Sequence, residues 1–189
     1  MARSVGIDRA QVVAAAAALA DAHGLEQLTL AQVATQLGVR LPSLYNHVEG
    51  LPGLRHELAL LSGRQLLERI SRAAVGRAGD DAVLAICRAY RAYVLEHPGV
   101  YAAAVRAPAP DDTALVALSE ELIGILLAVL APYGLSETSA LHAIRGLRSV
   151  AHGFATIEVA GGFGMALDRD ESFQRLVEGL IAGIKTAEK

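Results

Sequence analysis

The groups best suited to chemistry lie close together in one short stretch. Arg40, Ser43, Tyr45, Asn46 and His47 put a guanidinium, a hydroxyl, a phenol, a carboxamide and an imidazole in successive view. Their natural work is hydrogen bonding to another polymer. Arg40 can reach guanine or a phosphate, and Asn46 can pair with adenine or a phosphate. Tyr45 can lay its ring along a sugar–phosphate backbone and give its hydroxyl to a phosphate. Ser43 is small enough to let a helix sit deep in a groove, and can donate a hydrogen bond. Leu41 and Pro42 can touch a thymine methyl. Blander readings exist for several of these. Tyr45 can be a packing residue between helices, and Asn46 can be merely solvated.

These groups need a rigid frame, and the flanking sequence supplies one. Leu28–Val48 reads LTLAQVATQLGVRLPSLYNHV, a helix-turn-helix pattern. Small Ala34 allows a close helix crossing. Gly38, four residues on, supplies the positive φ that a sharp turn between helices requires. Val33, Leu37, Val39 and Leu44 fill the wedge between the helices. Thr29 caps the first of them, with Gln32 completing a capping box. The backbone N–H of Thr29 can also face a phosphate. Pro42 falls in the first turn of the second helix, where its missing N–H costs nothing.

Leu44-Tyr45-Asn46-His47-Val48, after Gly38-Val39, is similar to the recognition-helix signature of TetR-family transcriptional regulators. The alanine-rich first helix and the link Leu25–Leu30 (LEQLTL) match the same family. The resemblance covers residues 8–60 and weakens beyond them. It implies that His47 contacts phosphate, against a reading as a surface or packing His. Many relatives carry a phosphate-binding Lys at the start of the fourth helix. This chain has Glu49-Gly50-Leu51-Pro52-Gly53-Leu54-Arg55 there, and Arg55 is the nearest substitute. Up to His56, Arg3, Arg9, Arg40 and Arg55 balance Asp8, Asp21, Glu26 and Glu49, so the net side-chain charge is zero. Phosphate neutralisation supplies much of DNA affinity, so modest affinity with a shallow salt dependence is expected. Arg3 and the amino terminus can reach an adjacent groove or phosphate, or the tail can be disordered.

Composition sets the outer limits. The 189 residues suffice for one sizeable core, or a small domain fused to a larger one. The apolar mass is Ala, Leu, Val and Ile, with no Trp and no sustained strand-type alternation. The fold class expected is all-α, with about nine helices: an N-terminal three-helix helix-turn-helix domain (1–55) and a larger helical bundle (56–189). The net charge of −3 gives no global signal for nucleic acid. The lone Cys87 excludes an internal disulfide and suits the cytoplasm. Asp8, Arg9 and Gln11 interrupt the apolar start, which reads as an amphipathic helix rather than a signal peptide. No uninterrupted apolar run of about 18 residues is present, so no membrane span is expected.

Helical segments are predicted at Asp8–His23, Leu30–Leu37, Leu41–Val48, Pro52–Ala74, Asp81–Glu96, Gly99–Arg106, Thr113–Leu130, from Ser136 to Val159, and Glu171–Lys185. The domain boundary falls inside or just after the fourth. In the last two, Gly146, Val150, Gly153 and Ile157 form one stripe, and Leu176, Gly179, Leu180 and Gly183 another. A mid-helix Gly costs about 1 kcal/mol against Ala, so close backbone approach must offset it. Internal packing and a dimer seam both fit. The resemblance favours the dimer, with two helices from each copy in a four-helix bundle.

Scattered polar groups on apolar helices, Cys87, Tyr90, Tyr101, His142, Arg145 and His152, are candidates for a small-molecule site. His152 fits equally a satisfied core His, Tyr90 a packing residue, and Cys87 a small buried hydrophobe or a redox sensor. Enzyme motifs are missing: no HExxH, no Cys–His metal spacing, no phosphate-cradling glycine loop and no nucleophile elbow. His152 with Glu158, or His142 with Arg145, would be poor acid–base pairs. The resemblance implies a one-component regulator, a repressor, binding a palindromic double-stranded DNA operator as a homodimer. It would respond to a small-molecule effector, without cofactor, metal or membrane. A helical interaction module that no longer binds DNA is the alternative.

Overall fold

The computed structural model describes residues 7–186. Arg3 and the amino terminus, expected near a groove or phosphate, lie outside these residues. Among the described residues there are nine α-helices and no strand. Two compact units form, one running through Gly63 and taking in His97–Ala109, the other holding Arg64–Glu96 and the chain from Pro110 onward.

The first unit begins with α1 (Arg9–His23). Asp8 accepts from the Gln11 N–H at 2.7 Å, and the Gln11 side chain accepts from the Asp8 N–H, a reciprocal cap. Gly24 stops it, and a 3₁₀ turn over Leu25–Gln27 leads to α2 (Leu30–Leu37). Thr29 and Gln32 form the same reciprocal cap on α2. Gly38, at φ +66°, closes α2 in the left-handed region. Then come α3 (Leu41–Leu44) and the start of α4 (Gly50–Ala74). The core joins Val12, Ala16 and Ala20 of α1, Val33 and Ala34 of α2, Leu44 of α3, and Leu54 and Leu58 of α4.

The regular part of α3 is shorter than the predicted Leu41–Val48. Tyr45–His47 form a turn, in which the His47 and Val48 N–H groups both donate to the Leu44 carbonyl, at 2.9 and 3.1 Å. Asn, His and Val are weak helix formers, and burial of Val48 draws the chain back into the core. The next helix starts at Gly50, whose φ of +68° absorbs the change of direction.

The segment His97–Ala109 completes this unit with α6 (Pro98–Ala103), which packs on α1. One Asp21 carboxylate oxygen accepts from the Gly99 and Val100 N–H groups, each at 2.9 Å, and the other lies 2.9 Å from His97 Nδ1. Gly99 is obligatory here. A Cβ at this position would stand 1.9 Å from the Ala20 carbonyl oxygen, inside backbone that cannot yield.

The second unit contains α5 (Gly79–Glu96), α7 (Thr113–Leu130), α8 (Glu137–Val159) and α9 (Arg169–Thr186), with the later turns of α4. A 3₁₀ turn over Ala131–Tyr133 follows α7, and Ser136 caps α8 by accepting from the Ser139 N–H. The most extensive helix pairing is α5 on α8. Ile86, Cys87 and Val94 of α5, Ile144 and Leu147 of α8, and Phe173 and Val177 of α9 are buried. Arg91 is buried among them. Its guanidinium holds Glu158 through two hydrogen bonds and Asp170 through a third, at 2.6–3.0 Å, and stacks on Phe154 and Phe173. The stretch Thr113–Tyr133 is long and apolar enough to cross a membrane by length and composition, although Glu120 and Glu121 break it.

Candidate nucleic-acid interface

The helix-turn-helix is fixed from inside. Leu44 and Val33 are fully buried, and truncating such a Leu to Ala costs about 2–5 kcal/mol. At Gly38 the α2 ladder ends, and the Val39 N–H reaches the Ala34 carbonyl at 3.0 Å. The chain then turns at Arg40, which takes the N-cap position of α3 in extended geometry, and its carbonyl accepts from the Ser43 N–H at 2.9 Å. Pro42 sits in the first turn of α3.

With Leu44 and Val48 turned inward, the remaining side chains are displayed. Arg40, Leu41, Pro42, Tyr45 and Asn46 are exposed, and Ser43 and His47 half-buried. Tyr45 is 59% exposed, outside the helical wedge rather than within it. Arg40 has no ion-pair partner among the described residues. Thr29 is engaged in its cap, its hydroxyl donating to the Gln32 carboxamide at 2.9 Å. Arg55 is also engaged. Its guanidinium reaches Glu26 at 3.3 Å and the Leu25 carbonyl at 3.4 Å, and the Glu26 carboxylate stays open to water. Arg9 likewise pairs with Glu57.

The small-molecule candidates are dispersed. Cys87 and Tyr90 are buried on α5, Tyr101 is buried on α6 in the first unit, His142 and Arg145 are exposed on α8, and His152 is half-buried. Burial pushes the Cys87 thiol up to about 12, so it is held as a thiol. Two open grooves are present, one of about 340 Å³ between α5 and α9 and one of about 490 Å³ along the first turns of α9. Asp80, Leu84, Ile181 and Lys185 line the smaller, and none of the candidates borders either.

The two glycine stripes differ in their surroundings. A Cβ at Gly146 would sit 3.7 Å from Leu180, so α8 and α9 meet there. At Gly153, Gly179 and Gly183 a Cβ would meet nothing within 4 Å. Ile157 is 47% and Leu176 44% exposed, while Val150 and Leu180 are half-buried. A contact at 3.7 Å is one any Cβ can make, so packing within the protomer demands glycine at none of the four positions.

Two constellations escaped the sequence reading. The Asp21–His97–Gly99 clasp joins residues far apart in the chain, and His97-Pro98-Gly99 read only as a helix stop. Arg91 hides in an apolar helix, and its position on the buried face was the one available signal.

The chain also has relatives. Residues 83–180 match the family model for the tetracyclin repressor-like C-terminal domain. The HTH-type transcriptional regulator Rv0681 of Mycobacterium tuberculosis is 37% identical over 186 residues, 98% of this chain and 85% of that protein. The HTH-type transcriptional regulator YobS of Bacillus subtilis is 34% identical over 185 residues, 97% of this chain and 96% of that one. In fold, the chain is similar to a variant TetR protein of Acinetobacter baumannii, crystallised with minocycline, at a TM-score of 0.72 and 22% identity, covering 94% and 96% of the two chains. With a helix-turn-helix ahead of a matching C-terminal domain, and full-length relatives of the same kind, the chain belongs to the TetR family of DNA-binding transcriptional regulators.

Proposed function

We propose that this regulator is a one-component repressor. Residues 1–55 read a palindromic operator, and residues 56–189 dimerise and hold a small-molecule effector. The observation that carries the reading is the display of Arg40, Tyr45 and Asn46 on a turn anchored by buried Leu44. Phosphate contacts by Tyr45 and His47 set the register, and Arg40 and Asn46 read base edges. Ser43 lets α3 approach closely, and Leu41 and Pro42 meet thymine methyl groups. Thr29 contributes through its backbone N–H.

Each protomer presents α3 to one half-site, and the dimer sets the half-site spacing. The open glycines Gly153, Gly179 and Gly183 and the exposed Ile157 and Leu176 support a seam along α8 and α9. Effector binding favours dimers whose spacing no longer matches successive major grooves. The minocycline complex of the Acinetobacter protein supports a small organic effector. The site of action is the cytoplasm, where the operator is.

Footprinting on the DNA flanking the coding region tests this reading. Wild-type protein should protect a palindrome, and Tyr45→Ala should lose at least about tenfold in affinity, a loss of about 1.4 kcal/mol. Failure to recover any site in genome-wide selection would refute it.

A further inference from the structure

The recognition turn ends on a negative charge. Glu49 follows buried Val48, is exposed, and forms no ion pair among the described residues. It stands two residues beyond His47, a span of at most about 7 Å. Physiological salt screens over about 8 Å, so a phosphate held by His47 still feels this carboxylate.

The backbone puts Glu49 at the start of α4. Its carbonyl accepts from the Gly53 N–H at 3.1 Å, which makes it the N-cap residue of that helix. A Cβ at Gly53 would lie 3.0 Å from the Glu49 Cβ, so the glutamate stem leaves the chain against the first turn of α4. A helix start ordinarily offers free N–H groups and the positive end of a dipole to an anion. Here the Gly50 N–H donates to the Val48 carbonyl at 3.0 Å, and Pro52 has no N–H. Of the three positions before Gly53, Leu51 alone keeps a donor to offer, and Glu49 adds a negative charge to the same end.

We propose that Glu49 holds down the affinity of this regulator for DNA, by repelling the phosphate beside His47 and denying it the α4 N-terminus. The proposal rests on the DNA-binding reading above and adds a residue that opposes the contact rather than makes it. Phosphate repulsion is blind to sequence, so it weakens operator and unrelated DNA alike. A carboxylate that read a base would instead accept from an amino group in the major groove. Glu49 caps α4, beyond the point where Val48 turns the chain back into the core, so its place is with the phosphate contacts.

Fluorescence anisotropy on the full chain tests this, with a labelled duplex from the DNA flanking the coding region and a random-sequence duplex of the same length. Glu49→Gln should tighten both by the same factor, about threefold per protomer, and the gain should shrink as salt rises. Glu49→Lys should tighten both further, and steepen the slope of log K against log salt by about 0.9 per protomer. Thermal melts check that both variants stay folded. Affinities unchanged by either substitution would overturn the proposal. So would a Glu49→Gln variant that loses the flanking duplex and keeps the random one, since that is base reading. A gain matched by Glu120→Gln, which removes the same charge from α7, would reduce the effect to net charge and also overturn it. A wild type and variants that bind neither duplex at low salt would sink the DNA-binding reading itself, and this proposal with it.

Discussion

Arg55 is the side chain whose role depends most on its neighbours. It stands near where relatives use a lysine, but Glu26 and the Leu25 carbonyl hold it. Glu26→Gln should release it towards phosphate. The slope of log K against log salt should then steepen by about 0.9 per protomer, and operator affinity should rise; an unchanged slope would remove Arg55 from the interface. Cys87 is silent by contrast. Its raised pKa means that folding favours the protonated thiol. That stabilisation is complete below the ordinary thiol range and is lost as pH climbs towards about 12. A thiol reagent at a mildly alkaline pH should therefore label Cys87 only as fast as the second unit opens, and rapid labelling of the native protein would contradict its burial. Gly99→Ala should cost more than the roughly 1–3 kcal/mol of ordinary overpacking and lower the melting temperature by well over several degrees, since its Cβ has only backbone to displace. Arg91→Ala should also be costly, about 3 kcal/mol, because the largely covered Glu158 side chain loses its main partner. Calorimetry decides both.

Among the helices, local chemistry was readable and distant chemistry was not. Asp8 with Gln11, Thr29 with Gln32, and Ser136 with Ser139 each act across three residues, so their caps could be read directly from the sequence. Gly38 was legible for the same reason, since a left-handed turn has few other occupants. The end of α3 was not, because burial of Val48, a tertiary demand, overrides helical continuation. The glycine stripes were visible as a period in α8 and α9, but sequence could not divide Gly146, which meets Leu180, from Gly153, Gly179 and Gly183, which meet nothing. Asp21 and His97 could not be joined in advance, because no local pattern links them. The scattered polar groups Cys87, Tyr90, Tyr101, His142, Arg145 and His152 stand out by residue type alone, and type does not say which face of a helix reaches a cavity.

At the scale of the whole molecule, the open glycines make a clean test of assembly. Gly179→Leu with Gly183→Leu finds room within the protomer and replaces two poor helix formers. The protomer should keep its helicity, and light scattering should report monomer; a surviving dimer would place the seam elsewhere. The neutral charge of the first 56 residues predicts a shallow salt dependence for the wild type, and a steep one would mean that cations from other parts of the chain reach DNA. The way the first unit is assembled has a further consequence, for synthesis. Its core includes Val100, and among the described residues the Asp21 carboxylate takes its backbone donors from Gly99 and Val100. The ribosome therefore cannot release a finished helix-turn-helix domain after residue 63. The nascent chain must wait with Ala20 uncovered until α6 has emerged, more than thirty residues later, and a gene fragment cut at residue 63 should yield a less stable domain than one in which α6 is grafted back through a linker.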